Sequence, residues 1–423
     1  MKERNAVYFY IIPPIYILVH LITFQIWSVW LSNASEEYRT NKKNHYRLLA
    51  MFLLGAAVPL LGCFLPEGRV QSTLAAAGNI WLGIFFYLGG ISLLLMMFVT
   101  LPMFAYRVLT LTGASKKHIF RLPVRNVDRI AHRILVFVTL AITIVLNIYG
   151  MVHAVDIKVH ALDVSIDKPL MIDGEQKDSL KIVLIGDLHM SVNSRPQTIQ
   201  RMVDLINEQD ADLVVAAGDF LTSTYVGLKD PETYAQTLQG IHSTYGEYGV
   251  YGNHDVEEPL LGGFPMTGIE QAYRSEEVVS FIGSLGMEVL SDEVVDAADG
   301  GIVLVCREDG EKTGDGLRKR LEASELMEGI DQNRPVIVLE HEPVDFNNLE
   351  AAGADLVLSG HTHAGQIFPG TLITQFFNEN NYGLKYFGHL QSVVTSGVGF
   401  YGPPLRVGCD SEIMVVNVHF QSK

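Results

Sequence analysis

The chain has 423 residues, 48% of them hydrophobic, and its mean hydropathy is positive. That is too long for one typical domain and too apolar for a chain lying wholly in water. Lys and Arg against Asp and Glu count 14 to 5 over residues 1–155 and 17 to 42 over residues 156–423, so the second part offers no basic face to follow a polynucleotide backbone, and no nucleic acid partner is expected.

Four apolar stretches come first, at residues 8–31, 48–65, 80–103 and 134–155. Each is close to the length that crosses a hydrocarbon core of about 30 Å as a helix. Almost no charge lies inside them, which predicts an all-α transmembrane domain of about four helices over residues 1–155, with the lipid bilayer as its partner. Pro13, Pro14, His20, Gln25, Pro59, Asn79 and Asn147 are too scattered to mark a transport path and read as kinks and helix contacts.

Basic residues orient the spans. Arg39, Lys42, Lys43 and Arg47 lie in the first loop and Arg107, Lys116, Lys117, Arg121, Arg125, Arg129 and Arg133 in the third, against Arg69 in the second and Lys2 and Arg4 at the N-terminus. This 11 to 3 split predicts cytoplasmic first and third loops, and therefore an acidic domain facing outward from the cell membrane. "SNA" before Ser35 is a passable signal-peptide site. Cleavage there would leave Lys42 and Lys43 on an external tail, and Pro13 and Pro14 make a poor signal core, so the span is read as retained. The "NAS" at residues 33–35 then lies inside and is a chance sequon. Cys63, Cys306 and Cys409 hold no CxxC pattern and are too few for a disulfide framework; Cys306 and Cys409 are expected as thiols.

Residues 156–423 read as an α/β domain. "VDIKVHALDVSI" alternates with period two, as a half-exposed edge strand does. Then "KIVLIGD", "DLVVAAGD", "GVYGNHD", "VIVLEHEP" and "DLVLSGHTH" each join a short apolar run to a turn and then Asp, His or Asn. Between the first two, "PQTIQRMVDLINEQ" places Ile199, Met202, Val203, Leu205 and Ile206 on one helical face. Strands alternating with helices predict parallel pairing, whose post-strand loops share one edge. That edge would collect Asp187, His189, Asp219, Asn253, His254, His341, His361 and His363. Asp187 and His189 are two apart, as are His361 and His363, so in extended backbone each pair could aim at one point. Imidazoles, carboxylates and an amide oxygen without thiolate suit manganese, iron or zinc rather than calcium or magnesium. Adjacent Asn253 and His254 cannot both point at one ion, and with His254 set aside the remaining seven ligands exceed one tetrahedral ion; two divalent metal ions sharing a carboxylate would use them all.

The motifs "GDLHMS", "GDFLTS", "YGNHD", "LEHEP" and "SGHTHAGQ", in this order, resemble the calcineurin-like metallophosphoesterases over roughly residues 180–418. The closing "SGVGFYGPPLRVGCDSEI" is similar to the bacterial membrane-associated branch. The resemblance implies a two-sheet metallophosphoesterase sandwich flanked by helices. It implies Asp187, His189 and His363 on one metal, Asn253, His341 and His361 on the other, and Asp219 between them. His254 would be catalytic, facing the phosphate, with Asp255 as its carboxylate partner. Two departures touch no ligand: the first motif opens with "GD" where the branch more often has "SD", and Ala364 stands where a second Gly is common. The implied activity is hydrolysis of a phosphoester substrate, lipid-linked or not, by a phosphodiesterase or a pyrophosphatase or phosphatase. The alternative is a phospho-ligand receptor or sensor with weak catalysis. "DVEEPLLGGFPMTGIEQAYR" reads as a loop able to cover substrate.

Overall fold

The computed structural model describes the chain except residues 1, 67, 112–123, 225–226, 262–263, 267–271, 315–318 and 422–423. Lys116, Lys117 and Arg121 of the orientation argument, and part of the candidate covering loop, lie outside the described residues. Two compact units divide the chain, Met1–Tyr149 and Gly150–Lys423.

In the first unit the long helices are Lys2–Ala34, Lys42–Phe64 and Arg69–Leu95, with Val124–His153 crossing into the second. Among the described residues, four helices are long and apolar enough to cross a membrane, over Tyr10–Ala34, Lys42–Phe64, Arg69–Ala105 and Arg129–His153. The helices outrun the apolar stretches because their basic flanks are themselves good helix formers. Asn41 opens the second, its side chain accepting from the Lys43 N–H at 3.0 Å. Polar groups inside the apolar stretches serve as helix contacts: His20 stacks on Phe85 at 3.5 Å between centroids and accepts from Trp81 Nε1 at 3.1 Å.

Among the described residues the second unit holds twelve main strands. They are β1 (Ile157–Ile166), β2 (Ser179–Ile185), β3 (Leu213–Ala217), β4 (Glu247–Val250), β5 (Glu288–Leu290), β6 (Glu293–Ala297), β7 (Ile302–Cys306), β8 (Val336–Leu339), β9 (Leu356–Ser359), β10 (Gly383–Phe387), β11 (Leu390–Val394) and β12 (Ser411–Phe420). One sheet runs β1-β12-β2-β3-β4-β5 and the other β6-β7-β8-β9-β11-β10. β2 through β5 pair in parallel, as do β7, β8, β9 and β11. β1 is the edge strand its alternation predicts, bonded on one side to β12.

Side-chain alternation sorts each strand between two apolar layers. In β2, Ile182 and Leu184 join Ile337, Leu339, Leu356 and Leu358 in the core between the sheets. Val183 and Ile185 face the other way, onto Ile199, Met202 and Ile206 of the helix Pro196–Asn207. On the far side, Phe346 and Leu349 of the helix Phe346–Ala351 cover Val336, Val338 and Val357. The result is a two-sheet sandwich flanked by helices. Cys306 is buried and Cys409 half-buried, both as thiols.

Candidate metal centre

Asp187 and His189 follow β2, Asp219 follows β3 and Asn253 follows β4 in one sheet; His341 follows β8, and His361 and His363 follow β9 in the other. Two facing sheets, rather than the edge of one, therefore build the rim.

The extended geometry expected for the two i, i+2 pairs is not what forms. Asp187, His189, Asp219, His361 and His363 all take positive φ, from 42° to 71°. Left-handed backbone in non-glycine residues costs on the order of 1 kcal/mol each and persists only where surrounding bonds impose it. Here the Asp187 N–H donates to the Gly218 carbonyl at 3.0 Å, the His189 N–H to the Asp219 carbonyl at 2.9 Å, and the His361 N–H to both Asp187 oxygens at 3.1 Å. The tight turns send the members of the second pair to different partners. Close loop approach also explains the glycine before Asn253: a Cβ on Gly252 would sit 2.2 Å from Asp219 Oδ1.

Donor atoms meet in two groups. His189 Nε2 lies 2.9 Å from His363 Nε2, which is 3.5 Å from Asp187 Oδ1. His341 Nε2 lies 3.0 Å from Asn253 Oδ1 and 3.2 Å from His361 Nδ1. Asp219 Oδ2 stands between the groups, 3.4 Å from His189 Nε2 and 3.2 Å from His341 Nε2. Nδ1 of His341 donates to the Ala217 carbonyl at 2.7 Å, which leaves its Nε2 lone pair pointing inward; Thr222 Oγ1 engages Nδ1 of His189 at 3.0 Å to the same effect. Ring lone pairs aimed at one another across about 3 Å, with carboxylates alongside, fit divalent cations. Asp187, His189 and His363 form one group able to hold an ion, and Asp187, Asp219 and His341 another.

Residues 180–365 match the family model described as calcineurin-like phosphoesterase. The chain carries a calcineurin-like phosphoesterase domain. A Helicobacter pylori protein named as an uncharacterized metallophosphoesterase is 32% identical over 253 residues, which is 58% of this chain and 61% of that one. A Danio rerio protein named as a transmembrane protein with metallophosphoesterase domain is 30% identical over 289 residues, 65% of this chain and 60% of its own. The chain thus matches about three fifths of the length of these relatives.

The electrostatics of the site call for positive charge. Burial pushes Asp187 up to about 7, with Asp219 adding to the push. Burial lowers His189 and His361 to about 3, so both present neutral lone pairs. Burial would also lower His341, but Asp219, Asp187 and Asp309 outweigh it and raise it well above the usual imidazole range. The carboxylates hold a proton on His341 where a divalent ion would replace it.

His254 points away from the Asn253 group. Its ring lies 4.3 Å from Tyr401 and 5.5 Å from His189, while its N–H donates to Asp219 Oδ1 at 2.8 Å. The expected partnership with Asp255 is corrected here. Asp255 turns inward, accepting the Leu221 and Gly252 N–H groups at 2.9 Å each, and so ties the loops after β3 and β4 together. The carboxylate beside His254 is Glu258, whose Oε1 is 3.6 Å from Nδ1 and 2.5 Å from Lys312 Nζ.

Three supporting residues escaped the motif reading. Glu311 accepts from Asn253 Nδ2 at 2.9 Å, which turns the amide oxygen toward His341. Lys312 comes from the same loop after β7. Arg406, fully buried, donates to the carbonyls of Ser396, Gly397 and Gly399 and stands 3.4 Å from His363 Nδ1. "CREDGEK" after an apolar run, and a lone Arg inside the closing motif, were the available signals. Ala364 sits at φ 48°, which explains why glycine is common at that position.

Proposed function

We propose that this chain is a membrane-anchored phosphoesterase using two divalent ions, manganese, iron or zinc, with Asp187, His189 and His363 on one ion, Asn253, His341 and His361 on the other, and Asp219 shared. The observation that carries this is the position of Asp219 Oδ2 between the two donor groups, at 3.4 Å and 3.2 Å from a ring nitrogen of each. Paired ions of this kind make hydroxide available at neutral pH and offset phosphoryl charge. His254 would protonate the leaving oxygen. Asp255 positions the loops that carry Asp219 and Asn253, and Arg406 positions the turn behind His363.

The substrate class proposed is a phosphodiester, phosphomonoester or pyrophosphate, lipid-linked in keeping with the apolar helices. The purified chain should hydrolyse bis(4-nitrophenyl) phosphate, stop with chelator and resume with manganese. Tight binding of phosphate esters with no product across all three classes would instead identify a receptor.

The site is proposed to face outward, in keeping with the 11 to 3 split of basic residues. A reporter fused after Lys423 should be active only outside the cytoplasm; cytoplasmic activity alone would reverse the topology.

A further inference from the structure

We infer that residues 368–377 are an interfacial anchor, seated in the headgroup region of the bilayer that holds the chain, directly beside the metal centre.

Seven residues after His363 the chain enters the short helix Gly370–Ile373 and then the 3-10 turn Thr374–Phe376. Phe368, Leu372, Ile373, Phe376 and Phe377 are exposed there, the two adjacent phenylalanines by 85% and 81%. No charged residue occurs from 364 to 378. Elsewhere in the second unit the exposed large apolar residues are mostly spread singly, as on any soluble surface. Five within ten positions form a patch of the kind that marks a contact surface.

The segment is held, so its side chains face out from a fixed scaffold. The Phe368 N–H donates to the Val407 carbonyl, and the Val407 N–H to the Gln366 carbonyl, both at 2.9 Å. Thr374 Oγ1 donates to the Gly370 carbonyl at 3.0 Å and Gln375 Nε2 to the Thr371 carbonyl at 2.9 Å.

What covers the patch follows from its other neighbour. The Arg406 N–H donates to the Gly150 carbonyl at 3.0 Å, and a Cβ on Gly150 would meet Val407 Cγ2 at 2.9 Å. Gly150 belongs to the last turns of the helix ending at His153, the end of the apolar span Arg129–His153. One hydrogen-bonded segment, residues 406–407, thus separates the patch from the point where the chain leaves a span. A lipid surface is the occupant available there, and phenylalanines with no flanking charge are suited to enter it by about 5–10 Å. With 42 acidic against 17 basic residues over 156–423, attraction to anionic headgroups cannot supply the contact, so it must be apolar.

The stretch between the ligands and the patch is held as well. Thr362 Oγ1 donates to the Asn381 carbonyl at 2.7 Å, and the Gln366 side chain bonds the backbone of Tyr401 at 3.0 Å and 2.7 Å. Seating the patch would keep His363, five residues before Phe368, near the headgroup layer, where phosphoesters lie. That consequence rests on the phosphoesterase reading; the anchor itself does not.

The test uses the full chain in phosphatidylcholine nanodiscs. Cys63→Ser and Cys409→Ser remove the accessible thiols, and nitroxides are attached at Phe376→Cys or Phe377→Cys, with Val294→Cys on β6 as the aqueous reference. The ratio of oxygen to nickel-chelate collision rates at 376 and 377 should exceed that at 294 several-fold and survive high salt. Chelate access at 376 and 377 equal to that at 294, or a ratio that collapses in salt, would overturn the anchor. No turnover is needed, so the result is independent of whether the site is a phosphoesterase.

Discussion

Asp219→Asn is expected to empty both ion positions at once and abolish turnover. Among the described residues its Oδ2 is the one carboxylate oxygen within 3.4 Å of a ring nitrogen in each donor group, and the residue is 1% exposed, so no solvent group can replace it. Its ordinary acidity is already shifted for this work. Burial would raise it, but His341, His254 and His189 together lower it well below the usual carboxylate range. In the variant the His254 N–H would still find an acceptor in the amide oxygen. The new NH₂ would then point at the inward lone pairs of His189 and His341 and occupy them as a hydrogen-bond donor. Changes one shell further from a metal cost about 10- to 100-fold in affinity, and loss of a shared charged ligand should exceed that range. Metal analysis after reconstitution with manganese should give well under one ion per chain, with circular dichroism unchanged. Two ions per chain in a folded Asp219→Asn protein would remove Asp219 from the bridging role.

How much of this was readable before the fold varies with physical cause. The ligands themselves were legible because apolar runs such as "DLVVAAGD" must stop where the chain leaves the sheet, and a polar residue fixed at that point stands on the rim. The two-sheet division could not be read from the runs: Leu213–Ala217 in one sheet and Val336–Leu339 in the other are each buried on both faces, so neither alternates. That part came from the family resemblance. The unit boundary at Tyr149 falls inside an unbroken apolar helix, where composition gives no sign. Asp255 was misassigned because its neighbour His254 points the other way across a tight turn, while Glu258 reaches the imidazole through the folding of a loop with no period to read. Lys312 and Glu311 arrive because β7 lies beside β8, a pairing invisible in sequence.

The same turn separates metal binding from proton delivery. His254→Ala should keep both ions and lose rate by roughly 10²- to 10⁴-fold, the usual worth of a positioned acid. Metal should stay because what the position gives the ligand groups is its backbone: the N–H at 2.8 Å from Asp219 Oδ1 survives truncation, and Glu311 still orients the Asn253 amide. What disappears is a ring 8% exposed at the rim, backed by Glu258 and Lys312 and covered on one side by Tyr401. If that ring protonates the leaving oxygen, the loss must shrink as the leaving group becomes more acidic. A diester with 4-nitrophenolate leaving should therefore suffer less than one releasing an alkoxide, with manganese content equal to that of the unaltered chain in both assays. An equal loss for both esters would argue that His254 steadies phosphoryl charge rather than donating a proton. A His254→Ala protein that no longer binds manganese would place the imidazole among the ligands and return Asn253 or His361 to a supporting role.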